Sequence, residues 1–116
     1  MSATQFNQVS VIKKSSVYFD GQCVSHTLLF EDGNRKTLGV ILPATALASG
    51  ESYVELKFET HTSERMEITS GECSVRVAGE NEFTDYRAGQ SFMIGGNSSF
   101  VIRASDVVDY VCHFEG

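Results

Sequence analysis

SYVELKFETHTSERMEITSGECSVRV, Ser52 to Val77, decides the reading of the fold. Apolar residues recur through it with a period of two: Val54, Leu56 and Phe58 share one parity, while Glu55, Lys57 and Glu59 take the other. That alternation marks strands with one buried face. Met66 and Ile68 repeat the pattern, and Glu64 has their parity, so a carboxylate is directed at the apolar side. An ionised group there needs a partner or a wet cavity. A structural ion pair and a rim carboxylate are the plainer readings of the same residue. Ser70-Gly71-Glu72 breaks the pattern and reads as a hairpin turn.

The same alternation extends outward through SVYFDG, QCVSHTLLF, KTLGVIL, QSFMIG, SFVIRA and DYVCHF, each bounded by Gly, Asn, Asp or Ser. No stretch sustains a long period of 3.6, so the chain is all-β, with the strand spacing of a sandwich or barrel. Glu31 to Asn34, EDGN, reads as a second hairpin turn. Pro43 to Ser49 is the one candidate helical turn, with proline at its first helical position and Gly50 ending it. At 116 residues the chain is a single domain able to bury about two thirds of its unfolded surface. We divide it into an N-terminal extension, residues 1–16, and a barrel domain, residues 17–116. The first eight residues are polar and patternless, expected to fray or to lie across a neighbour.

Composition narrows the function classes. Hydrophobic residues make up 41% and charged residues 21%, as in a globular protein. A net charge of -6 opposes non-specific binding to nucleic acid or to anionic membrane surfaces. Cys23, Cys73 and Cys112 lie far apart without a CxxC spacing, which suits free thiols in the cytoplasm. Cys73 and Cys112 have the apolar parity of their strands and read as small buried hydrophobes. Of the three histidines, His113 has the parity opposite to Tyr110, Cys112 and Phe114 and is expected at the surface.

In RKTLGVIL, Leu38, Val40 and Leu42 form the apolar set, whereas Arg35, Thr37 and Gly39 form a small or polar face above which a cavity has room. Arg35 is the best inward cation of the sequence, although its place after a turn also suits a solvated edge residue. Phe92 and Phe100 fall on the apolar faces of their strands.

Two segments resemble the motifs of cupin barrels. The first motif of those barrels has two histidines, a glutamate and a glycine, of which Glu64 and Gly71 stand here. The second is similar to Gly89 through Phe100, with Gly95 where proline is usual and Phe100 where the last histidine would be. Divalent metals need three or four converging donors, and His26, His61 and His113 are scattered, so no metal site is expected. More closely, the sequence resembles the pyrimidine/purine nucleoside phosphorylases, a family of small single-domain cupins. The resemblance is carried by Tyr18-Phe19-Asp20-Gly21, Arg35 with Thr37-Leu38-Gly39-Val40, Phe58-Glu59-Thr60 and Glu64-Arg65-Met66-Glu67-Ile68. It continues through Ser70-Gly71-Glu72, Tyr86 to Gly89, Phe92, Asn97-Ser98, Phe100 and Tyr110-Val111-Cys112. Three departures stand out: the longer segment between Val40 and Phe58, the extended N-terminus, and Gly95.

The resemblance implies a jelly-roll cupin barrel that carries out metal-independent phosphorolysis, turning purine and pyrimidine nucleosides and inorganic phosphate into free base and (deoxy)ribose 1-phosphate. No cofactor is implied beyond phosphate as co-substrate. On that reading Arg35 clamps phosphate, because a guanidinium fork matches its oxygens. Glu64 meets the cation-like sugar. Broad base tolerance calls for flat rings, with Tyr18, Phe19, Phe92 and Phe100 as candidates beside Thr37. The competing readings are a binding module that carries a sugar-like ligand without turnover and a metal-dependent cupin enzyme with atypical ligands. SVYFDG offers an exposed edge strand, and a homodimer is expected.

Overall fold

The computed structural model describes residues 4–115, and within them the chain forms eleven strands and one short helix. The strands are β1 (Ser10–Val11), β2 (Ser16–Tyr18), β3 (Cys23–Leu29), β4 (Arg35–Ile41), β5 (Val54–Glu59), β6 (Ser63–Ser70), β7 (Glu72–Val77), β8 (Thr84–Arg87), β9 (Ser91–Ile94), β10 (Ser99–Ala104) and β11 (Val108–Glu115). A 3-10 turn over Phe19–Gly21 follows β2, and α1 spans Ala44–Ala48. Seven strands form one sheet in the order β1-β3-β4-β11-β6-β9, with β2 also on β3, and four form a second sheet in the order β5-β10-β7-β8. The two do not close into one barrel, but they make the jelly-roll cupin fold that the resemblance implies. No described helix is long and apolar enough to cross a membrane.

The core lies between the sheets. Ile41, Ile68 and Ile94 come from the larger sheet and Val75, Phe100 and Ile102 from the smaller, each at most 2% exposed. Burying a side chain of this size contributes about 1.5–3 kcal/mol, which explains why parity in the sequence predicts facing in the structure.

Four expectations change. Ser70-Gly71-Glu72 is a corner, because β6 and β7 belong to different sheets. Gly71 has φ 82°, and an added Cβ would stand 2.4 Å from the Val107 carbonyl oxygen. In β4 the inward face is Arg35, Thr37, Gly39 and Ile41, whereas Leu38 of the supposed core set is 40% exposed. The reason is long-range: the Tyr110 ring of β11 lies over Gly39, where a Cβ would come within 2.1 Å of Cζ. Pro43 caps α1 from just outside the helix. Strands β1 and β8 went unread because each is short and carries too few apolar residues to show a period. The Glu31–Asn34 hairpin stands as read, with Gly33 at φ 88°. Within the 1–16 segment, Ser10 and Val11 pair with β3, and Phe6 meets Phe30 edge-on at 5.4 Å.

Candidate functional site

Cross-strand register assembles the site on the inner face of the larger sheet. Phe114 of β11 stands opposite Glu64 of β6, which stands opposite Ile94 of β9. One row deeper come Thr37, Cys112, Met66 and Phe92, and deeper still Gly39, Tyr110 and Ile68. A cavity of about 420 Å³ opens over these rows. Its floor and walls include Thr37, Glu64, Met66, Tyr110, Cys112 and Phe114, and its far side is closed by Tyr18, Phe19, Phe58 and Glu59. That size suits a small metabolite.

Local structure explains why these groups converge. Thr60, 3% exposed, donates through Oγ1 to the Gly95 carbonyl at 2.7 Å and accepts from the Ser98 amide at 3.0 Å. The loop between β5 and β6 is thereby fastened to the segment before β10, which sets Glu59 and Glu64 on opposite sides of one opening. Phe19 and Asp20 both adopt left-handed backbone, φ 53° and 55°. Such positions are costly outside glycine, and here they turn the Phe19 ring back against Phe58 at 5.2 Å.

The Glu64 carboxyl is pushed above its ordinary value of 4.5, chiefly by burial. The Cys112 hydrogen bond and the charges of Arg35 and His61 pull the other way. Cys112 donates from Sγ to Glu64 Oε1 at 3.3 Å. Arg35 lies over the Phe114 ring, 4.4 Å from guanidinium carbon to centroid. Among the described residues no carboxylate comes within ion-pairing distance of it. Stacking occupies a face of the guanidinium and leaves its N–H edge available to an anion.

The structure therefore brings Tyr18, Phe19, Thr37 and Glu64 to one cavity, with Arg35 at its rim. Arg35 has the inner-face parity the sequence gives it, but it stands exposed at the end of β4 rather than buried. Phe92 and Phe100 are displaced from the expected platform: at 5% and 2% exposure they belong to the core. Phe100 stacks at 5.1 Å behind Phe58, and it is Phe58 that meets the cavity. Parity could not separate them, because Phe58 and Phe100 are direct cross-strand partners on the same face. Ser25, Phe58, Tyr110, Cys112 and Phe114 were missed as lining residues, although each had the right parity to reach it.

Cupin barrels that hold a metal do so with converging histidines, and this donor set does not fit one. His26 and His113 lie on the outer face of the sheet, and no three His, Cys, Asp or Glu among the described residues are grouped to hold an ion.

The sequence pattern of the family described as pyrimidine/purine nucleoside phosphorylase matches residues 13–114. The chain belongs to this family. A relative of that name from Acinetobacter baumannii is 59% identical over 116 residues, all of both chains. The alignment thus runs through both the N-terminal extension and the long segment between Val40 and Phe58. A crystal structure of a protein of unknown function from Acinetobacter sp. ADP1 is 57% identical, with a TM-score of 0.87 over 97% of this chain and all of that one. The Drosophila melanogaster CENP-C cupin domain shares the fold alone, at 14% identity and a TM-score of 0.63 over 94% of this chain and 72% of that one.

Proposed function

We propose that the protein phosphorolyses purine and pyrimidine nucleosides in the cavity between the sheets, without a metal or other cofactor. The observation that carries the reading is the pairing of unlike charges about one opening. Arg35 and Glu64 flank Phe114, the first with no carboxylate partner among the described residues and the second half-buried with its carboxyl pushed upward.

A phosphate oxygen attacks the anomeric carbon, the carbon–nitrogen bond breaks with its electron pair leaving on the base, and the base nitrogen gains the proton that the hydrogen phosphate gives up. Positive charge builds on the sugar as the bond stretches. The Glu64 carboxylate faces that charge from a partly dry wall, where its effect is larger than in water. Arg35 receives phosphate oxygens at the mouth. Phe58, backed by Phe100 and met by Phe19, offers a ring against which any base can stack, which supports broad base tolerance. The three free thiols, all buried, support a cytoplasmic setting. Val11, Val17, Leu38 and Met93, each at least 40% exposed on the outer face of the larger sheet, support a homodimer.

The deciding experiment incubates the protein with uridine or adenosine, with and without inorganic phosphate and with a chelator present. Free base and pentose 1-phosphate form only when phosphate is supplied, and the chelator changes nothing. Binding without release of base would leave a carrier in place of an enzyme.

A further inference from the structure

We propose that Cys112 is a positioning residue for the Glu64 carboxylate, its S–H holding Oε1 so that the charge is kept on the cavity wall. The inference rests on Glu64 being the acid of the site. Its geometric basis is the register of two strands. Cys112 pairs with Met66, so Glu64 sits diagonally across from it, one row nearer the mouth. On the inner face that diagonal brings Sγ to 3.3 Å from Oε1, the one hydrogen bond to Glu64 among the described residues.

The thiol is suited to donate and to nothing else. Burial, the Glu64 charge and the bond to Glu64 all push its ionisation far above the ordinary value, against smaller opposite effects of a Thr37 hydrogen bond and Arg35. It stays protonated across the working range, which removes it as a nucleophile or metal ligand. The groups about Glu64 are Arg35 on β4, His61 on the loop before β6 and Cys112 on β11, with Lys57 and Glu59 of β5 across the cavity. Arg35 and His61 act by charge from the exposed side. Only Cys112 grips an oxygen from beneath. A donor to the ionised form favours that form, so losing it must raise the carboxyl's affinity for protons.

Three variants test this. In Cys112→Val the acid limb of the pH profile of kcat/KM moves to higher pH by about one unit, with kcat lowered about tenfold. Cys112→Ala does the same should valine disturb folding. Cys112→Ser keeps a donor on the same carbon and stays within about threefold of the parent. The carboxyl pKa of Glu64 is also read directly by carbon-13 NMR titration of each variant, independently of turnover. A carboxyl that titrates in Cys112→Val where it does in the parent overturns the inference. So does an equal loss in Cys112→Ser and Cys112→Val, which would make the residue mere filling. If Glu64→Gln retained full phosphorolysis while Cys112→Val still raised the carboxyl pKa, the positioning would stand and the catalytic reading of Glu64 would fall.

Discussion

Strand β11 carries a polar cluster on each of its faces, one buried and one open to the cavity, and the two are built to opposite ends. On the outer face His113, 6% exposed, has both ring nitrogens engaged. Lys36 Nζ stands 2.8 Å from Nδ1 and Glu67 Oε1 2.8 Å from Nε2. An ammonium has no lone pair to accept with, so Lys36 donates to Nδ1 and the imidazole proton sits on Nε2, donated to Glu67. On the inner face Glu64 has a single donor, Cys112, and Arg35 no carboxylate partner among the described residues. A cluster whose bonding capacity is filled specifies structure. One left half-filled beside a cavity is ready for a ligand.

The comparison breaks most directly at Glu64. Glu64→Gln keeps the shape and removes the charge, and we expect kcat for phosphorolysis to fall by about a hundredfold, the usual scale for one electrostatic partner of a transition state. Thermal melting should not worsen. A variant that melted early and kept its turnover would place Glu64 with the structural cluster instead. Arg35→Ala comes next in size: KM for phosphate rises about tenfold with KM for nucleoside little changed, since a charge-assisted bond contributes about 1.5–3 kcal/mol. Initial rates over a grid of both substrates separate the two constants.

On the outer face the balance reverses. His113→Ala leaves Lys36 and Glu67 without their shared partner, and we expect unfolding free energy in urea to drop by about 1–3 kcal/mol while turnover stays at the parent's level. Equal damage to activity and stability would mean that the two faces of β11 act as one unit.

Much of this was legible in the sequence, and the reasons for the remainder are specific. Glu64 could be found because period-two parity is local and the strand around it is long. Strands β5 and β10 could be read because their apolar residues repeat cleanly, but their place in a separate sheet could not, since pairing joins residues far apart in the chain. Strand β4 was half legible: the cavity over its Arg35, Thr37 and Gly39 face could be read, but Leu38 looked like core because nothing near residue 39 announces the Tyr110 ring that packs over Gly39 from β11. Phe92 and Phe100 looked like a platform because a ring on an apolar face carries no mark of its depth. His113 has the outward parity the sequence gives it, yet it is buried, because Lys36 and Glu67 reach it from the neighbouring strands. The bond from Cys112 to Glu64 joins residues 48 positions apart and depends on the register between β11 and β6, which no local pattern states.

The smallest expected effect separates the faces by the sign of a slope. Burial lowers the His113 pKa below its ordinary 6.5, and the charges of Lys36 and Arg65 add to the shift, against the opposing pull of Glu67. In the window below 6.5 the unfolded chain takes up a proton that the folded chain refuses, so this group's contribution to stability is full above that pH and is lost as the pH falls through the folded value. Glu64 works in the other direction. Its folded pKa lies above 4.5, so its contribution is full below 4.5 and is lost as the pH rises through the folded value. Urea unfolding measured between pH 8 and the acid side should therefore show a positive slope of stability with pH just below 6.5 that is weaker in His113→Ala. Glu64→Gln should keep that slope and be more stable than the parent at neutral pH, because the amide need not be ionised in a half-dry wall. If His113→Ala left the slope near 6.5 intact, the imidazole would not be held neutral, and the outer cluster would lose its claim to being the filled one.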